Sequence, residues 1–367
     1  MRRNLFLGIM LAPYRVDFCN YLHDHFNCEI FYLHCSLDDS CFDQAYYRSL
    51  CRYEMKFTPT FSFLGRKLVR ISWLNRLLKE CDPEYVFVPE FSFTTLVVLL
   101  LNRLSGRRFR VVSVCDDNMD MIGGNDFSRL HTLARRFVPR YLDNLVLVNR
   151  DTTRWYREHF GKGVCFPIIA DEKRLRRILE QALPRASEWI SDLGLEHRSV
   201  VLFVGRLVDV KNLDRLLEAM PLVQGAPALV VVGDGVLRTV LEDKCRALAL
   251  RNVFFTGKLT GLDLMAWYDL ADVLVLPSTR EAFGAVVNEA LVAGCPVAVS
   301  SHAGASDLIR SREAGIVFRP DSVESIADAL NTLLKRPSSE RPPFLRNSLM
   351  PMEFLPALEA ALSQLNR

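Results

Sequence analysis

No run of apolar residues in this 367-residue sequence reaches the roughly 18 needed to cross a bilayer as a helix. The nearest candidate, Phe93 to Leu101, fits a core helix. Ten cysteines are present, but there is no Cys-x-x-Cys and no Cys/His pair at zinc-finger spacing. Eight of them precede residue 166, and Cys28, Cys35, Cys41 and Cys51 are irregularly spaced. That pattern argues against a metal site or a disulfide framework and suits free thiols in a reducing compartment. Low-complexity tracts and short repeats are also lacking. The net charge is only +3, too small to make nucleic acid the main partner.

What charge there is sits unevenly. Up to residue 197 there are 28 basic against 24 acidic residues, and 18 against 19 afterwards. Between Arg66 and Arg110 nine Lys/Arg face four Asp/Glu, which suits either a solvated helix face or contact with anionic lipid or an acidic substrate. The first residues, MRRNLFLGIMLAPYR, combine two arginines with a short apolar run. The run is strand-length and lacks a small-residue cleavage pattern, so it reads as a first buried strand rather than a signal peptide. A cytoplasmic protein is expected, one able to rest on the inner face of the membrane.

Short apolar runs alternate with helical patterns from end to end. Leu5–Leu11, Glu29–His34, Tyr85–Val88, Arg110–Val114 and Asn144–Val148 read as strands buried on both faces, separated by helical stretches such as Leu68–Cys81 and Thr94–Leu104. The second half repeats this with Val200–Val204, Ala228–Val232, Val253–Thr256, Val273–Leu276 and Pro296–Ser300. Helices are expected over 212–220, 235–248, 261–270, 284–293 and 322–335. Such alternation implies an α/β fold with parallel sheets covered on both sides. The expected organisation is a domain over 1–171, a linker over 172–198, a second domain over 199–345 and a C-terminal helix over 346–367 that can pack back on the first domain. The linker holds a charged helical stretch, Glu172–Leu183, then Pro184 and a polar segment. Two open α/β domains facing each other would bind ligand in a cleft at their strand C-termini.

Three stretches carry chemistry. In FVGRLVDVKN a strand ends before Gly205, and Arg206 and Lys211 follow, two cations suited to a diphosphate or simply to solvent. In VVVGDGVLR a strand leads through Gly233, Asp234 and Gly235 to a helix. It is like a phosphate loop without the full G-x-G-x-x-G spacing, and a plain strand–helix turn explains it equally well. In REAFGAVVNEA, Glu281 precedes a helix start at Phe283, Gly284 and Ala285, whose free amides could receive a phosphate. Glu289 lies inside that helix, about 7–8 Å further along its axis. Its core-like neighbours weaken the alternative of an exposed salt bridge, since a carboxylate in such company needs partners.

Taken in order, GRLVDVKN, the strand ending Leu-Pro-Ser, Glu281 and Glu289, and AGCPVAVS at 293–300 resemble glycosyltransferase family 4. The resemblance is strong over roughly residues 200–335 and thinner before that. There APYRVDFCNYL (12–22) and the segment 116–136 look like parts of surface-polysaccharide transferases. It implies the GT-B fold, two Rossmann-like parallel-sheet domains across a cleft. It also implies a retaining transfer from a nucleotide-sugar donor to a glycan or lipid-linked acceptor, in surface polysaccharide synthesis. Arg206 and Lys211 would neutralise the departing diphosphate, Glu289 would hold the ribose hydroxyls and Glu281 the donor sugar. Gly205, Gly233 and the amides of Phe283, Gly284 and Ala285 would complete the donor pocket. The leaving phosphate would itself deprotonate the acceptor, which fits two cations without a Ser/His/Asp triad, and neither cofactor nor metal is implied.

The chain departs from the family in three places. Ala12-Pro13-Tyr14 stands where many members have Gly-Gly, and Cys115-Asp116-Asp117 where many have His-Asp. His302-Ala-Gly-Ala-Ser-Asp307 stands where relatives carry Gly-Gly and a glutamate one residue later. Asp116 or Asp117 becomes the acceptor-side candidate in place of the histidine. Asp116, Asp117 and Asp120 could also cap a loop, and are sparse ligands for a metal. His131 and His159 read as ordinary helix histidines, and Phe57, Phe61 and Phe63 as core or acceptor-loop packing. Two alternatives stay open: a nucleotide-sugar epimerase of the same fold, and a degenerate donor-binding partner. Cys115 favours the second, and the intact Arg206/Lys211/Glu281/Glu289 set opposes it.

Overall fold

The computed structural model describes residues 3–34, 44–63, 65–106, 108–123, 129–335 and 345–366. Cys35 and Cys41 fall outside them, as do the side chains of Asp120 and His131. The eight described cysteines are all free thiols. The chain divides into two compact units, Met1–Pro167 with Pro356–Arg367, and Ile168–Leu355.

Unit 1 contains β1 (Asn4–Gly8), β2 (Cys28–Tyr32), β3 (Lys56–Phe57), β4 (Thr60–Phe63), β5 (Arg66–Val69), β6 (Tyr85–Pro89), β7 (Arg110–Cys115), β8 (Asn144–Leu147) and β9 (Val164–Cys165). Seven of these form one parallel sheet in the order β3-β2-β1-β6-β7-β8-β9. The strand order reverses between β1 and β6, so a crevice at their C-terminal ends is the natural ligand position. The strands are apolar throughout because helices cover both faces, and β6 and β7 bury almost every side chain. The C-terminal helix, Phe354–Ser363, belongs to this unit: the Tyr21 hydroxyl donates to Glu359 at 3.4 Å, and Asn144 Nδ2 donates to the Gln364 carbonyl at 3.4 Å.

Unit 2 adds β10 (Val200–Val204), β11 (Ala228–Val232), β12 (Val253–Gly257), β13 (Val273–Leu276), β14 (Val297–Ser300) and β15 (Gly315–Phe318). All six are parallel, in the order β12-β11-β10-β13-β14-β15. This is the doubly wound dinucleotide-fold order, with its reversal between β10 and β13.

Three expectations need correction. The helix expected over Leu68–Cys81 does not include Leu68 and Val69, because residues 66–69 are strand. They pair antiparallel with β4, Thr60 opposite Val69 and Phe63 opposite Arg66, and the helix begins only at Ile71. Phe57, Phe61 and Phe63 are exposed on or beside that hairpin, not part of the core. Pro184 does not end its helix, which runs unbroken from Glu172 to Leu193 as part of unit 2. A proline inside a helix removes one hydrogen bond and crowds the preceding turn. Here it lies on the exposed face, while Leu175, Leu179, Ala182 and Ala186 bury the opposite stripe. Trp189 reaches Trp267 of helix Gly261–Leu270, ring centroids 5.4 Å apart. Packing outweighs the local penalty, so Leu179→Ala is expected to lower stability by about 2–5 kcal/mol. Pro184→Ala is expected to raise it. Urea midpoints at unchanged slope would check both, and a destabilised Pro184→Ala would contradict this explanation.

Candidate active site

The reversal point of unit 2 is built by loops that leave no room for side chains. A Cβ on Gly233 would stand 1.8 Å from the Gly205 carbonyl oxygen, and one on Gly235 would stand 2.4 Å from that of Leu207. The loops after β10 and β11 therefore run backbone to backbone, with Gly205 N donating to Val232 O and Leu207 N to Asp234 O, each at 3.0 Å. Gly233 sits at φ 140°, and its amide donates to Gly257 O at 2.8 Å. The Gly235 amide donates to Asp234 Oδ1 at 2.8 Å. Neither of these two amides is free for a phosphate. The visible work of Gly-Asp-Gly is to fix the loop that carries Arg206.

Arg206 projects into solvent just past β10 and, among the described residues, has no ion-pair partner. Lys211 ends the short 3-10 turn Asp209–Lys211. Its ammonium pairs with the Glu281 carboxylate, which also accepts from Ser278 Oγ at 3.4 Å. The buried residue after it, Asn212, adopts the left-handed conformation (φ 58°). Asn212 Nδ2 donates to Pro277 O at 3.0 Å and Pro320 O at 2.8 Å, tying the Lys211 turn to the ends of β13 and β15. In the sequence Asn212 reads only as a helix start.

Glu281 is held from the other side. It forms a parallel bridge with Ala303, Gly304 N donates to Glu281 O at 3.3 Å, and Ala305 N donates to Phe283 O at 2.8 Å. Gly304 permits this approach, since a Cβ there would lie 2.4 Å from Ala282 O. The unusual stretch from His302 to Asp307 is thus a buttress for the Glu281 turn. Phe283 is 1 % exposed, so it offers a ligand only backbone. Gly284 starts helix Ala285–Val292 at φ 97°, where a Cβ would meet the Leu276 side chain at 2.5 Å. The first helical bond is Val287 N to Gly284 O, 3.0 Å. Among the described residues the amides of Gly284, Ala285 and Val286 have no hydrogen-bond partner, as a helix start requires. Glu289, in the same helix, accepts from the Tyr268 hydroxyl. Burial pushes its carboxyl above the usual range, countered by that hydrogen bond and by Arg174. Tyr268 carries no sequence signal, being one of two adjacent aromatics in a mostly apolar helix.

Unit 1 gathers a second set at its own reversal point. Asp116, just after β7, accepts from Tyr14 Oη at 2.8 Å and pairs with the Arg15 guanidinium. Asp117 turns the other way. Buried, it takes a bidentate grip from Arg135 at 2.7 and 2.8 Å and a bond from Tyr156 Oη at 2.7 Å. Of the two aspartates only Asp116 faces the strand ends, and Asp117 is an anchor. Cys115 is buried in the core, where desolvation holds its thiol protonated. No group of three metal-ligating side chains occurs among the described residues. His159 is exposed and stacks on Trp155 at 4.1 Å.

Glu90 went unnoticed in the sequence. It follows β6 in a left-handed conformation (φ 43°), its carbonyl held by Ser113 Oγ and Thr95 Oγ1, each at 3.0 Å. Burial first, then the charges of Asp116 and Asp117, push its carboxyl up to about 7.

Residues 186–344 match the family model for glycosyl transferases group 1. An uncharacterized glycosyltransferase of Methanocaldococcus jannaschii is 40% identical over 142 residues, 38% of this chain and 36% of that protein. A GDP-mannose-dependent alpha-(1-6)-phosphatidylinositol monomannoside mannosyltransferase of Mycolicibacterium smegmatis is 28% identical over 296 residues, 78% of this chain and 76% of that one. Among solved structures, HepE of Anabaena in complex with UDP superposes with a TM-score of 0.72 at 17% identity, covering 91% of this chain and 90% of that one. The lipopolysaccharide outer core galactosyltransferase WaaB gives 0.70 at 16%, covering 99% of both. The matches span 36%, 46% and 35% of the length of the first three curated relatives. The fold is GT-B. Within it, residues 186–344 carry the match to glycosyl transferases group 1.

Glu90 supplies a test of the unit 1 set. The folded protein keeps its proton up to about pH 7, while an unfolded chain releases it near the ordinary 4.5. The stabilisation is therefore complete below pH 4.5 and is lost as pH rises through 7. Glu90→Gln is expected to unfold like wild type at about pH 4.5 and to be more stable by roughly 1–3 kcal/mol at about pH 8. Denaturant titrations at the two pH values check this, and an equal difference at both would contradict it.

Proposed function

We propose that the protein is a retaining glycosyltransferase that moves a sugar from a nucleotide-sugar donor to a glycan or lipid-linked acceptor. The observation that carries this reading is the Lys211–Glu281 pair beside Arg206, at the strand reversal of a glycosyl transferases group 1 domain. A nucleoside diphosphate entering there would meet Arg206, draw Lys211 from Glu281, and find the amides of Gly284 and Ala285 at a helix start. Its ribose hydroxyls would donate to Glu289, which Tyr268 orients. Glu281, released from Lys211, would accept from hydroxyls of the donor sugar.

Charge builds on the diphosphate as the glycosidic bond breaks, so preorganised cations stabilise the transition state more than the bound donor. The departing phosphate then takes the acceptor's proton on the same face, giving retention. Asp116, oriented by Tyr14 and Arg15, would receive acceptor hydroxyls. Two cations suffice to neutralise the diphosphate without a metal, so transfer should survive EDTA. The names of WaaB and of the phosphatidylinositol mannoside mannosyltransferase support a glycan or lipid-linked acceptor. We place the protein in surface polysaccharide synthesis, in the cytoplasm and at the inner face of the membrane. No helix among the described residues is long and apolar enough to cross it.

A thermal-shift screen against UDP-, GDP-, ADP- and CDP-sugars identifies the donor. At 100 times its dissociation constant, the right one adds about 2.7 kcal/mol to stability. With that donor and a lipid-linked acceptor, Lys211→Ala and Glu281→Ala should each lower turnover about 10²–10³-fold while melting like wild type. Full turnover in the folded double variant would overturn the reading.

A further inference from the structure

Helix Phe93–Leu104 buries Thr94, Thr95, Val97 and Val98 against unit 1. Its other face carries Leu96, Leu100 and Leu104 at a spacing of four, a continuous apolar stripe turned to solvent, with Leu104 74 % exposed. Beside it, Phe137 and Tyr141 are also exposed, and between the two lies a groove of about 630 Å³. Arg103 and Arg108 line it, and the Arg140 guanidinium sits 5.4 Å from the Phe137 ring.

The charged side chains that line this groove, Arg103 and Arg108, are both cationic. The stretches that supply its lining, 96–106, 108 and 137–141, contain three arginines and no Asp or Glu. Arg135 is turned inward to Asp117, but among the described residues Arg103, Arg108, Arg136 and Arg140 have no carboxylate partner. An apolar floor under an arginine rim selects an occupant with a hydrocarbon interior and anionic heads. A second copy of the chain is disfavoured, because a two-fold contact through this face would set arginines against arginines.

We propose that this face of unit 1 docks on an anionic phospholipid bilayer. Leu96, Leu100, Leu104, Phe137 and Tyr141 enter the interface while the arginines meet lipid phosphates. The docking extends the membrane-side reading of function to a named surface. It is measured without donor or acceptor, so its failure and the failure of sugar transfer are distinguishable.

The test is flotation of the full chain with phosphatidylcholine vesicles, with and without phosphatidylglycerol. Wild type should float only with the anionic vesicles, and less as salt rises. Leu100→Glu/Leu104→Glu and Arg103→Ser/Arg108→Ser should each lower the bound fraction about tenfold or more, with unchanged melting. Should the first variant misfold, the arginine variant decides alone. Phe63→Ser/Lys67→Ser, on the other exposed apolar and basic element, should keep wild-type binding. Four results would overturn the proposal: no vesicle binding by wild type, equal binding to neutral vesicles, loss only in the hairpin variant, or a dimer of the free protein abolished by Leu100→Glu/Leu104→Glu.

Discussion

The ion pair between Lys211 and Glu281 joins residues 70 positions apart, and most of unit 2 serves to bring them together. Lys211 is placed by a turn that Asn212 pins to two strand ends. Glu281 is placed by a turn that Gly304 and Ala305 brace from behind. Both turns lie where the strand order reverses, because β10 and β13 are neighbours whose connections leave in opposite directions. The pair is largely buried, so desolvation offsets much of its Coulombic gain and its net contribution to stability is small. Its consequence is positional: a cation and a carboxylate are held beside each other at the strand reversal, where the proposed donor would take each of them as a partner.

Glycine geometry sets the limits of this arrangement. Gly233 and Gly235 are where they are because two loops touch through their backbones, and Gly284 because a helix must start against Leu276. A glycine-rich stretch beside a strand end resembles a phosphate loop, yet the Gly233 and Gly235 amides are spent within the protein. Unpaired amides lie instead at the start of helix Ala285–Val292, as at any helix terminus, and it is there that the proposed diphosphate would be received.

The alternation of buried strands and helices was legible because period-two and period-3.6 patterns are local. Most strands fall within a residue or two of their expected places. What escaped was set by distant contacts. The end of β5 reads as the beginning of a helix because Leu68 and Val69 continue the spacing of the helix after it. Pro184 reads as a terminator because its tolerance depends on packing against helix Gly261–Leu270. In the site, Arg206, Lys211, Glu281 and Glu289 stood out by type and spacing. Tyr268, Asn212 and Glu90 did not, since each acts through a partner or a backbone conformation that no short pattern encodes. Asp116 and Asp117 looked equivalent, and only Arg135 and Tyr156 tell them apart.

The central claim is that Lys211 is a diphosphate ligand held in readiness by Glu281. Calorimetric titration of the free nucleoside diphosphate into wild type, Lys211→Ala and Glu281→Gln tests it most directly. Removing the cation should weaken binding about tenfold or more, a loss of one charge-assisted contact. Neutralising Glu281 frees Lys211 and should leave binding as tight as wild type or tighter. Equal weakening in both variants, or in neither, would contradict the account.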